Sequence, residues 1–239
     1  MFDPSTLDGG ASLVGYWALD GDGTDSGPNG LHGIPVNAEF VDGLRGQAFY
    51  FNGDDTLHVA DSGTTPLDVD NVLMVAWIMP SHLDVSADRG IIMNKSVAAC
   101  CSVVLCSAAG ICVADPLLTA DRCRESTYEF GLQDNTGALQ GAFGPGCWRW
   151  WGTVVLAVNE WAHVAVGSDG TNEKHFVNGE FREQDGCPGS LTINDQDFKI
   201  GARGGDGGHG SQFRGSVDEA MLFGAMLPDE DVQAIYVGS

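Results

Sequence analysis

Three tryptophans and an arginine occupy four consecutive positions, Trp148, Arg149, Trp150 and Trp151, inside the segment GPGCWRWWG. Indole faces can stack on sugar rings, and a guanidinium donates to carboxylate or hydroxyl oxygens, so this quartet is the first candidate for ligand binding. If the segment is extended, alternate residues point to opposite sides. Trp148 and Trp150 then share one side, while Trp151 takes the other with Arg149. The competing reading is packing, either as a small satellite core or as an anchor between subunits, where tryptophan and arginine are common. Packing is the favoured one.

Other chemistry is sparse. The chain has no G-x-S-x-G, no H-E-x-x-H and no phosphate-binding loop, and each of those motifs carries a specific mechanism. Five of the seven cysteines lie together, at Cys100, Cys101, Cys106, Cys112 and Cys123, with Cys147 and Cys187 apart. None forms a C-x-x-C pair, and the spacings match no zinc module. Disulfides in an oxidising compartment are favoured over free thiols, with one cysteine left unpaired or bonded between chains. His163 alternates with apolar neighbours and reads as a satisfied core histidine. Trp17, Trp77 and Trp161 read as core residues of strands.

The charge balance narrows the partners. There are 33 acids against 11 bases, a net charge of −22. Such a surface repels phosphates and anionic lipid, which excludes nucleic acid and membrane insertion. It attracts divalent cations, or keeps the protein soluble where salt screens self-repulsion. No apolar run is long enough to span a bilayer, and MFDPSTLDGGAS has neither the basic nor the apolar region of a secretory signal.

The elements that would position these residues are strands. The 34 glycines and nine prolines suit many strands and tight turns rather than helices. Strands are expected at Leu13–Leu19, Ala48–Phe51, Thr56–Val59, Val72–Met79, Gly90–Met93, Thr127–Leu132, Ala138–Phe143, Thr153–Ala157, Trp161–Val166, His175–Val177, Phe198–Ile200 and Ser216–Phe223. NGDD reads as a hairpin between Ala48–Phe51 and Thr56–Val59, and Gly90–Met93 as the partner of Val72–Met79. Asp25, Asn29 and His32 are expected to fix the first long turn, and Asn178-Gly179 a tight hairpin. Only Pro228–Tyr236 reads as helix, with proline and acids in its first turn. The pattern predicts an all-β, two-sheet antiparallel sandwich with a short C-terminal helix. Residues 1–12 form a leader, and 13–239 a single domain with a cysteine-rich insertion at about 96–126.

Five segments carry a family resemblance: GYWALDGDGTDSGPNGLHG, DGLRGQAFYFNGDD, VAWIMP, NEWAHVAVGSDGTNEKHFVNGE, and FKIGARG followed by FRGSVDEAMLFGAMLPDEDVQAIY. In this order they resemble the laminin G-like jelly-roll modules of the concanavalin A-like lectin/glucanase superfamily. The resemblance implies a jelly roll, and a structural calcium ion tying the end of the first strand to the last strand. The matching positions are Asp20, Gly53 and Asp218, with Asp22 as an alternative to Asp20. Calcium takes such mixed carboxylate and carbonyl oxygens. The superfamily's glucanases carry their acids as E-x-D-x-x-E on one strand face. That spacing is missing, and Thr127–Leu132 and Ala138–Phe143 offer only Glu129.

The expectation is a non-catalytic binding or adhesion module that recognises a glycan or a protein surface, with calcium as a structural ion. The alternative is a structural or decoration subunit of a virus particle or surface assembly, with its own assembly as partner. Either setting is extracellular, at a cell surface or in a virion.

Overall fold

The computed structural model describes residues 12–37, 39–61, 65–83, 90–96, 104–106, 112–114, 126–133, 136–144, 152–202 and 212–239. In chain order the first strands are β1 (Leu13–Trp17), β2 (Ile34–Val36), β3 (Glu39–Asp42), β4 (Gln47–Phe51), β5 (Thr56–Val59), β6 (Val72–Pro80), β7 (Gly90–Ser96) and β8 (Val104–Cys106). Then come β9 (Cys112–Ala114), β10 (Ser126–Leu132), β11 (Leu139–Phe143), β12 (Ala162–Ser168), β13 (Asn172–Val177), β14 (Glu180–Gly186), β15 (Phe198–Ile200) and β16 (Gly215–Phe223). One helix, α1 (Asp229–Gly238), closes the chain.

Two antiparallel sheets form the sandwich. The larger has the order β14-β13-β12-β6-β16-β4-β3, with β1 also on β16, and the smaller runs β11-β10-β7-β15-β5-β2. Strands β8 and β9 pair only with each other among the described residues. Alternation sorts the side chains into faces. Val72, Met74, Ala76 and Ile78 of β6 point inward, to a core shared with Phe130 and Leu132 of β10 and Phe198 and Ile200 of β15. Leu73 and Val75 point outward and join Phe176, Met221 and the helix residues Val232 and Ile235 in a second cluster. The acids Asp229, Glu230 and Asp231 fill the first turn of α1, where the helix dipole favours negative charge.

Local chemistry holds the turns. Asp25 accepts backbone N–H bonds from Tyr16, Gly27 and Leu31, Asn29 donates to the Val14 carbonyl, and the Asp25 N–H meets His32 Nδ1. Asn178 and Gly179 both take positive φ, 54° and 75°, as a two-residue hairpin joining β13 to β14 requires.

Several expectations need correction. NGDD does not make a hairpin: β4 lies in the larger sheet and β5 in the smaller, and Asp55 and Asn52 brace the crossover by accepting the N–H groups of Asn52 and Asp54. β7 does not pair with β6; its partners are β10 and β15. Residues 153–157 form no strand beyond an isolated bridge at Val155. Trp161 precedes β12 and is only half-buried. Trp77 is buried in its strand as expected, on the outer side under the helix beside His163 and Tyr236. His163 is wholly buried, but neither ring nitrogen has a hydrogen-bond partner, so it is a neutral core ring rather than a satisfied one.

Candidate functional site

The inward residues of the smaller sheet are apolar apart from Lys95, and its outward face carries a run of polar residues. Directly opposed residues on neighbouring strands share a face. Glu129 of β10 opposes Asn94 of β7, Asn94 opposes Lys199 of β15, and Lys199 opposes His58 of β5. These four side chains therefore form one polar row across the outer face. Gln140 of β11 lies on the same side, one row along, opposite Gly131.

The row changes character along its length. Glu129, Asn94 and Gln140 are fully buried, and neither side-chain atom of Gln140 has a partner. Asn94 donates its amide to the Ala202 carbonyl. Lys199 and His58 are half-exposed, so the row opens to solvent at the β15–β5 end. There His58 Nε2 and Asp197 Oδ2 are 2.6 Å apart, and Asp197 Oδ1 accepts the Asp61 N–H at 2.7 Å. Burial works to raise the Asp197 carboxyl, but the Asp61 N–H, His58 and Lys199 outweigh it and hold the group below the usual range.

Gly144, the last described residue before the tryptophan segment, lies near the closed end. Ser96 of β7 opposes Ser126 of β10, and the Gly144 N–H bonds the Thr127 carbonyl. Ser96, Ser126 and Gly144 therefore lie at adjoining positions of the sheet. Trp148, Arg149, Trp150 and Trp151 lie outside the described residues, as does Cys147. Cys187 is disulfide-bonded and buried.

The four positions matched to a calcium ion fall in different places. The first half of β16 pairs with β4 and the second half with β1. At the junction the register shifts, and Glu219 takes a φ of 51°. Such a bulge re-aims side chains. It turns Asp218 toward the β3–β4 turn, where Oδ2 accepts the Arg45 N–H at 3.0 Å. Oδ1 is buried with no partner. Burial raises the Asp218 carboxyl to about 7 despite its backbone hydrogen bonds, with neighbouring Glu219 adding to the rise.

Asp20 grips the same turn, its Oδ1 accepting the Gln47 N–H at 2.7 Å. Gly43 and Gly46 permit this approach, because a Cβ at either would lie within 2.7 Å of Asp218 Oδ2 or 2.1 Å of Asp20 Oδ1. Asp22 caps its own loop by accepting the Thr24 N–H. Gly53 lies beyond the opposite end of β4, against Arg214, roughly 20 Å along the strand from Gln47. The structure thus brings Asp20 and Asp218 to one turn and keeps Gly53 away. Among the described residues, no three His, Cys, Asp or Glu side chains cluster as a metal site. A hard cation would have to complete its shell from backbone carbonyls, as calcium readily does. The orphaned Oδ1 of Asp218 fits that use.

A family model described as the concanavalin A-like lectin/glucanases superfamily, Laminin_G_3, matches residues 51–233. The chain belongs to this superfamily. Among solved structures it is similar to domain 4 of AbnA, an extracellular GH43 arabinanase from Geobacillus stearothermophilus determined with arabinotriose. The TM-score is 0.64 at 17% identity, over 94% of this chain and 98% of that one. It is similar also to Trypanosoma rangeli sialidase with sialic acid, at TM-score 0.62 and 14% identity, over 95% of this chain and 33% of the sialidase. The binding domain of Paraclostridial Mosquitocidal Protein 1 matches at TM-score 0.58 and 13% identity, over 95% of this chain and 52% of that one. No curated protein matches the chain. At these identities the structural likenesses establish the fold.

The polar row went largely unread in the sequence, where only Glu129 stood out. Its signal was present as single polar residues, His58, Asn94, Gln140 and Lys199, at the outward positions of short apolar strands. Which strands pair decides whether such residues meet, and that pairing was misassigned.

Proposed function

We propose that the chain is a non-catalytic glycan-binding module whose ligand lies on the outer face of the smaller sheet. The observation that carries this reading is the row Glu129–Asn94–Lys199–His58, set across the outer face of the smaller sheet and open at its His58–Lys199 end. Its open end presents ammonium and imidazole groups to sugar hydroxyls, with the buried Glu129 and Asn94 behind them. The arabinanase domain solved with arabinotriose supports a carbohydrate partner. Retaining glycosidases need two carboxyls about 5 Å apart, and β10 and β11 contribute Glu129 alone to this face.

Calcium is proposed at the Asp20–Asp218 turn, holding the β16 bulge to the β3–β4 turn; the proposed setting is extracellular. The acidic surface suits an extracellular calcium-containing medium, and no helix among the described residues is long and apolar enough to cross a membrane. A glycan array tests the function. The module should retain a chemically related set of oligosaccharides, and Lys199→Ala should lose them at least about tenfold with an unchanged Tm. Retention of no glycan would refute the proposal.

A further inference from the structure

Lys95 of β7 points inward beside Tyr128, and its side chain is wholly buried. Three other chain segments converge on its amine. Asp61 Oδ2 lies 2.6 Å from Nζ and Asp68 Oδ1 lies 3.0 Å away, with the two aspartate side chains 0% and 5% exposed. Nζ also donates to the Asn194 carbonyl.

The two aspartates are not equivalent. Asp68 accepts a well-formed hydrogen bond from Nζ, and its other oxygen accepts the Thr65 N–H. Neither oxygen of Asp61 has a hydrogen-bond partner, although the amine is within 2.6 Å of one of them. The contact is close, but it lacks hydrogen-bond alignment. A buried ion pair repays its desolvation only when its lone pairs and protons are satisfied. The Asp61 carboxyl leaves its own unsatisfied, while the Asp197 carboxylate anchors its backbone N–H.

We propose that Lys95 and Asp61 condense into an intramolecular amide cross-link. In the first step a proton passes from the Lys95 ammonium to the Asp61 carboxylate across the 2.6 Å contact. Nζ attacks Asp61 Cγ, and Asp68 takes the proton shed by the attacking nitrogen. Asp68 returns that proton to the departing hydroxyl, the Cγ–O bond breaks, and one water leaves. The new N–C bond replaces the lost C–O bond, Asp68 ends as it began, and no oxidant or cofactor is consumed. Holding the amine between the Asn194 carbonyl and Asp68 supplies the proximity that such a condensation needs. The Asn194 Oδ1 is farther from Nζ, at 3.4 Å, and also accepts the Gln196 N–H while its amide donates to Thr127 Oγ1. The nearer Asp61, at 2.6 Å, is therefore the electrophile. Between them lies β15, so the bond staples β7 to the end of β5 across the smaller sheet.

Intact mass spectrometry of the purified full chain, reduced and alkylated, tests this directly. The protein should be lighter than its sequence by one water, and digestion should release a branched peptide joining the segments around Asp61 and Lys95. Lys95→Met should show the full mass of its sequence. Asp68→Asn should also show it, with an unchanged β-type circular dichroism spectrum. A wild-type mass equal to the sequence would overturn the proposal. So would a water loss mapped to an Asp-Gly step instead of to Lys95.

Discussion

At the scale of single residues, two buried histidines set opposite pH responses. Burial pushes His163 down to about 3, and its ring packs against Trp77 and Tyr236. The unfolded chain therefore binds a proton that the folded one refuses. The resulting stability is fully present above the unfolded value of 6.5 and is lost as pH falls toward 3, at roughly 1.4 kcal/mol per pH unit. His175 behaves in the other sense. Burial alone would lower it, but Glu173 at 2.6 Å and Glu183 at 3.0 Å outweigh that effect and raise it. Its contribution is complete below the unfolded value and disappears as pH rises through the folded one. Urea unfolding across pH separates them: His163→Phe should flatten the loss between pH 6 and 4, and His175→Gln should flatten the loss on the alkaline side. An acid limb of unchanged slope in His163→Phe would contradict the assignment.

At the scale of elements, the legible strands were those with clear alternation or a long apolar run, such as β6 and β16. β14 was missed because its EFREQDG sequence is almost entirely exposed and has no apolar face to read. The hairpin turn before it, Asn178-Gly179, was the usable signal. NGDD misled for a related reason: turn residues mark a reversal but do not say whether the chain returns to the same sheet. The β16 bulge was invisible, since nothing in SVDEAMLF announces that β4 gives way to β1 halfway along. It is also where the calcium proposal becomes measurable. Chelation with EDTA should lower the Tm by several degrees, equivalent to about 1–3 kcal/mol for a bound ion, and Asp218→Asn should abolish the difference. A Tm indifferent to EDTA in metal-replete protein would remove calcium from the account.

At the scale of the whole molecule, fold class, sheet number and the closing helix were readable because apolar periodicity and turn chemistry agree along most of the chain. The proposed binding face was not readable, because it is assembled from residues as distant in sequence as His58, Asn94, Glu129 and Lys199, and only strand order brings them together. The tryptophan quartet was the conspicuous local motif, and it lies outside the described residues. The most direct test of the central claim is amide chemical-shift mapping during titration with the oligosaccharide that the array selects. The account predicts saturable shifts centred on β5, β7, β10 and β15, strongest around His58, Asn94 and Lys199. Shifts centred instead on the larger sheet or α1, with the polar row unmoved, would contradict it.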